Sequence, residues 1–89
     1  MVKHLNIIIT GRVQGVFFRH FSEREAQKLK IFGLVKNLPD GSLYIEAEGE
    51  EKNLEKFVKW CKKGPKFAKV KQIKVNGSPN KNFHKFEII

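Results

Sequence analysis

The chain has 89 residues, 40% of them hydrophobic, and carries a net charge of +9 from eighteen Lys and Arg against nine Asp and Glu. Such a length holds one core and so one domain, 1–89, and the apolar share excludes a disordered chain. No apolar run approaches the roughly 20 residues that span a bilayer, strand-like sequence begins at once, so no secretory leader is expected, and Cys61, the only cysteine, excludes an intrachain disulfide and a multi-cysteine metal site. The expectation is a cytoplasmic, monomeric protein.

Leu5, Ile7 and Ile9 alternate with His4, Asn6 and Ile8, which predicts a first strand ending near Thr10 and Gly11. From about His20 to Phe32 the period turns helical. Phe18, Phe21, Ala26, Leu29 and Phe32 form one apolar side, and Glu23, Arg24, Lys28 and Lys30 face water. Ser22 and Glu25 are spaced as a capping box, and Gly33 stands as the helix stop.

Gly33 to Leu38 reads as a second strand and Leu43 to Glu48 as a third, with Leu43, Ile45 and Ala47 on one face. Between them Pro39, Asp40 and Gly41 supply turn chemistry, so the two strands form a hairpin. Leu54, Phe57, Val58 and Cys61 fall at i, i+3, i+4 and i+7, one buried helical stripe. Glu50 and Glu51 sit at the positive end of that helix, Lys62 and Lys63 at its negative end, and Gly64-Pro65 terminates it. A fourth strand covers about Ala68 to Val75, and its alternation breaks between Val70 and Ile73, as at a bulge. A polar loop leads to a short strand around Phe83 to Ile88.

The order β-α-β-β-α-β plus a short C-terminal strand is the split βαβ arrangement of ferredoxin-like α+β folds. Two helices then cover one face of an antiparallel-dominated sheet. In this topology strand three lies between strands one and two, which therefore run the same way. The loop after strand one comes near Lys36 and Asn37.

That loop carries the chemistry. It reads GRVQGVFFR from Gly11 to Arg19, and two of the three arginines of this lysine-rich chain, Arg12 and Arg19, lie in it. Gly15 accepts backbone conformations closed to other residues, so the backbone between Gln14 and Arg19 can fold tightly and successive N–H groups can converge on an anion. The helix that follows adds its unpaired N–H groups and the positive end of its dipole. Arg19 supplies a planar fork for two phosphoryl oxygens, which the point charge of lysine cannot match. The alternative is an ordinary strand-to-helix loop with an exposed arginine. Asn37 is the second candidate: an amide near a held phosphorus can orient a water, although a turn-flanking asparagine is the plainer reading. His4, His20 and His84 have no ligand spacing, with His20 beside Arg19. Asp40, the only aspartate, sits in a turn, so no Asp-based magnesium site is available. Glu46 and Glu48 read as solvated, and Cys61 as core.

The stretch GRVQGVFFR resembles the phosphate-binding signature of the acylphosphatases, and GLVKNLPDGSLYIEAEGE resembles that family's second motif. The similarity runs from about Leu5 to Val75, and the closing FEII is similar to the family's last strand. It implies that Arg19 and the backbone of Gln14, Gly15, Val16, Phe17 and Phe18 hold a phosphoryl group and that Asn37 positions the attacking water. The implied reaction is hydrolysis of an acyl phosphate to a carboxylate and phosphate, with no metal and no cofactor. Leu34 and Lys36 depart from the tryptophan and arginine of many relatives, which bears on efficiency and stability rather than on reaction type.

Three other functions compete. A domain of this kind inside a larger maturation enzyme binds a phosphate-bearing ligand without general hydrolysis. An RNA-binding module of the same topology stacks bases on aromatics of its central strands, whereas the third strand here carries glutamates; the lysines are scattered, as on a solvated surface, so no nucleic acid and no membrane partner is expected. A metallochaperone needs paired cysteines, which are missing.

Overall fold

The computed structural model describes every residue from Met1 to Ile89. Its elements are β1 (Val2–Arg12), α1 (Phe18–Lys28), β2 (Phe32–Asn37), β3 (Leu43–Glu50), α2 (Glu51–Lys63), β4 (Lys69–Ser78) and β5 (Phe86–Ile88). The strands form one sheet in the order β4-β1-β3-β2-β5. All neighbours are antiparallel except β2 and β5. This is the ferredoxin-like α+β arrangement, with β3 between β1 and β2. Both outer partners of β3 therefore end at the same edge of the sheet.

Period-two alternation puts Ile7, Ile9, Leu43, Ile45 and Ala47 on the face beneath the helices, where all are buried. Leu54, Phe57 and Cys61 from α2, and Phe18, Ser22 and Ala26 from α1, close over them. Each large apolar side chain buried in this layer contributes about 1.5–3 kcal/mol. Burial pushes the Cys61 thiol well above its ordinary range, as befits a packing residue. No helix is long and apolar enough to cross a membrane.

Thr10 pairs with Gln72 and Gly11 with Val70, which leaves Lys71 as an extra residue on β4. This is the bulge that the broken alternation between Val70 and Ile73 predicts.

The first helix departs from its sequence pattern. It begins at Phe18 and ends at Lys28, where the spacing predicts His20 to Phe32. Ile31 N–H donates to Ala26 O at 2.8 Å and Lys30 N–H to Gln27 O at 3.2 Å. That is a Schellman closure with Lys30, at φ 57°, in the position glycine usually fills. The buried Ile31 packs where the apolar contact of such a closure belongs. Gly33 consequently stops nothing. It lies within β2 at φ 151°, and a Cβ there would overlap the carbonyl oxygen of Glu46 on β3. Ser22 forms no capping box. It is buried inside the helix and its Oγ donates back to Phe18 O at 2.7 Å. Phe21 and Phe32, expected in the core, are exposed.

A second correction concerns Glu46 and Glu48, which are buried rather than solvated. They lie on the sheet face away from the helices, and the segment between β4 and β5 closes over them. Glu48 accepts from Lys81 N–H at 2.6 Å and from Phe83 N–H at 3.0 Å, while Lys81 Nζ donates to Glu46 at 2.8 Å. His4 sits between the two carboxylates, with Nδ1 at 3.0 Å from Glu48 and Nε2 at 2.9 Å from Glu46. The Phe83 ring stacks on His4 at 5.7 Å between centroids, so Phe83 belongs to this cover and the last strand is shorter than its pattern. Alternation marks this face as polar but carries no sign that a later segment will cover it. Burial by itself raises both carboxyls. Hydrogen bonds from Lys81, Tyr44 and His4 on Glu46, and from Lys81, His4 and Phe83 on Glu48, outweigh it and hold both below the ordinary carboxylate range. The Tyr44 hydroxyl, desolvated and beside Glu46, is pushed up to about 12.

Candidate active site

After β1 the chain enters a short loop before α1. The buried Val13 anchors its start, and Gly15 and Phe17 take positive φ values of 72° and 65° with Val16 between them. With Val16 outside the positive-φ region between two left-handed residues, the chain turns tightly enough for successive N–H groups to face one side, as in an anion nest. For glycine this conformation is free. For a phenylalanine it costs on the order of 1 kcal/mol.

Phe17 is the residue preceding the helix, and its carbonyl accepts the first helical bond, from Phe21 at 3.1 Å. No side chain caps α1 and no acidic residue lies in its first turn. None of the N–H groups from Gly15 to His20 donates to an acceptor within the protein. By contrast α2 carries Glu51 in its first turn. The positive end of α1 is thus left open, with several donors uncommitted.

The loop is tied to the β2–β3 hairpin by one side chain. Gln14 Nε2 donates to Leu38 O at 2.8 Å and to Ser42 O at 2.9 Å. These two residues also pair with each other, Leu38 N–H to Ser42 O at 2.9 Å. Asp40 Oδ1 accepts from Ser42 N–H at 3.0 Å and from Ser42 Oγ at 2.5 Å, and these bonds from Ser42 hold the Asp40 carboxyl below its ordinary value. Gln14 therefore fixes the loop against the hairpin directly beside Asn37, the last residue of β2.

The two halves meet in a cleft of about 320 Å³ lined by Val13, Gly15, Phe17, Phe18, Arg19, His20, Asn37 and Ile88. Of the residues predicted from sequence, Gly15, Phe17, Phe18, Arg19 and Asn37 come together here. Gln14 does not line the cleft, its side chain being spent on the hairpin, and Val16 turns to the core and to a neighbouring apolar cleft. His20, beside Arg19 in the sequence, also lines the cleft. Ile88 was missed, because nothing in the pattern of a short last strand tells which side chain reaches a distant loop.

Arg19 is half-buried and pairs with no Asp or Glu side chain. Its one protein acceptor is an oxygen of the last residue, Ile89, long at 3.4 Å. Asn37 is equally uncommitted. Its Oδ1 is buried without a donor, and its Nδ2 donates to no protein atom. Buried polar atoms without partners are uncommon in folded proteins, so an uncommitted amide beside an open helix end and a weakly held guanidinium mark a place built for something else. No group of three or more His, Cys, Asp or Glu side chains is placed to hold a metal ion. The sheet face on which an RNA-binding domain would stack bases is occupied by His4, Glu46 and Glu48 under Lys81 and Phe83.

The sequence matches the family model described as Acylphosphatase over residues 5–88. It is 48% identical over 84 residues, 94% of each chain, to an acylphosphatase of Archaeoglobus fulgidus. The fold superposes with a TM-score of 0.95 on the crystal structure of acylphosphatase from Bacillus subtilis, at 46% identity and covering 100% of this chain and 99% of that one. It also superposes, with a TM-score of 0.90 and 36% identity, on 12% of the chain of full-length HypF, a structure in the phosphate- and nucleotide-bound form. With matches that span nearly the whole sequence, this chain belongs to the acylphosphatase family, hydrolases of acid anhydrides.

Proposed function

We propose that the chain, acting as a single 1–89 domain and as a monomer, hydrolyses acyl phosphates in the cleft between the Gly15 loop and Asn37, without metal or cofactor. What carries this is the meeting in one cleft of a guanidinium with a single long contact, an open helix N-terminus and an uncommitted amide. The backbone N–H groups from Gln14 to Phe18 and the Arg19 fork hold the phosphoryl oxygens, and the Asn37 amide holds a water by its Nδ2.

An acyl phosphate already carries a good leaving group. Placing a water in line with the P–O bond, against a phosphoryl group whose charge is neutralised, is the main task left to the protein. The water oxygen bonds phosphorus as the bond to the acyl carboxylate breaks. One water proton passes to a phosphoryl oxygen of the substrate, so the products are carboxylate and dihydrogen phosphate. This route needs no side-chain base, and no Asp, Glu or Lys lines the cleft.

The test is hydrolysis of benzoyl phosphate by the purified chain in EDTA. Turnover well above the spontaneous rate and unchanged by EDTA is expected. A folded chain without turnover would refute it and leave a phosphate-binding domain, the role suggested by the likeness to part of HypF.

A further inference from the structure

We propose that the apolar cleft beside the phosphoryl site receives the acyl group of the substrate and selects aromatic acyl groups. The inference rests on the reading of the phosphoryl site given above. This second cleft, of about 660 Å³, is lined by Val16, Phe17, His20, Phe21, Trp60, Pro65, Lys66 and Phe67. Phe17 and His20 line both clefts. In an acyl phosphate the acyl carbon is joined to phosphorus through a single bridging oxygen, so its substituent must leave the phosphoryl cleft across an adjoining wall. The wall shared by two residues leads to this one.

Large apolar rings facing water along this cleft are costly. Phe17 is 67% exposed, Phe67 64% and Phe21 40%. Phe17 also holds a left-handed conformation that favours glycine, so neither burial nor backbone geometry accounts for phenylalanine at this position. Trp60 forms the floor, fixed edge-on against Phe18 at 5.5 Å and stacked on Phe57 at 6.2 Å between ring centroids. A rigid floor with exposed rings around it suits a flat arene, which gains offset or edge-to-face contacts. Lys66 lies over Phe67 at 5.7 Å from the ring centre, which places a cation at the rim and favours acyl groups with an electron-rich or anionic far end.

The test compares kcat/KM for benzoyl phosphate and acetyl phosphate in the wild type, Phe67→Ala and Phe21→Ala, with inhibition by inorganic phosphate measured in each. Both residues are exposed, and thermal unfolding checks that the variants stay folded. The wild type is expected to prefer benzoyl phosphate. Each variant should lose about tenfold in kcat/KM toward it, the effect of uncovering on the order of 50 Å² of apolar contact. The acetyl phosphate rate and the phosphate inhibition constant should stay within about twofold. Equal losses on both substrates, or no loss on either, would overturn the acyl subsite and leave the phosphoryl site standing. No turnover of either substrate by the wild type would overturn both.

Discussion

Replacing Asn37 by alanine separates what the residue does for the fold from what it does for the reaction. Its Oδ1 is buried without a donor, a state that costs about 1–3 kcal/mol. Alanine removes that cost and forfeits the packing of a half-buried side chain, about 1 kcal/mol at roughly 25 cal/mol per Å². The two terms leave the variant between about equal stability and about 2 kcal/mol more stable. At about 4–8 °C per kcal/mol for a chain of this size, Tm should hold or rise by up to about 15 °C. Turnover should move the other way, falling about a hundredfold or more once no amide aligns the water. The inhibition constant of inorganic phosphate should stay within about threefold, since phosphate is held by the loop and Arg19. Thermal unfolding, initial rates on benzoyl phosphate and phosphate inhibition on the same preparation check all three. A variant that melts well below the wild type while retaining its rate would refute the reasoning. So would phosphate affinity lost in step with turnover.

Arg19→Lys keeps the charge and loses the fork, and kcat/KM should fall about a hundredfold or more; a loss below about threefold would mean that a point charge suffices. Gly33→Ala forces a methyl group into the Glu46 carbonyl at a φ of 151°, and urea unfolding should record a loss of more than about 3 kcal/mol. Because Glu46 and Glu48 are held below their ordinary values, the stability they contribute is complete above the unfolded carboxylate value of about 4.3 and declines as the pH falls toward their folded values. Glu48→Gln should therefore be less stable at neutral pH and lose less on acidification, read as Tm between neutral and acid pH.

Much of this was legible because the determinants are local or periodic. The alternation of Leu5, Ile7 and Ile9, the stripe from Leu54 to Cys61 and the turn residues Pro39, Asp40 and Gly41 each name their own element. Element order then places Arg19 and Asn37 at one edge of the sheet. What was hidden depends on contacts between distant segments. Gly33 is required by the approach of β3, not by a helix end. Lys30 adopts a left-handed turn because Ile31 is buried beyond it. The side chain of Gln14 acts as a brace that the sequence does not show, since its partners Leu38 and Ser42 lie far along the chain. His4, Glu46 and Glu48 form a buried cluster only because Lys81 and Phe83 return over them.

The bulged outer strand gives the lysine content of this chain a purpose apart from substrate. Strand β4 is ten residues long and forms one free margin of the sheet, where a row of unpaired backbone groups invites a second copy to add its own strand. Lys69, Lys71 and Lys74 are exposed along it, and the irregularity in pairing falls at Lys71. Two such margins brought together would align like charges on a locally twisted ribbon. The opposite margin, β5, is only three residues long. The positive charge thus acts as a colloidal safeguard against strand-by-strand assembly. Since exposed charges are screened over about 8 Å at physiological salt, that safeguard weakens as ionic strength rises.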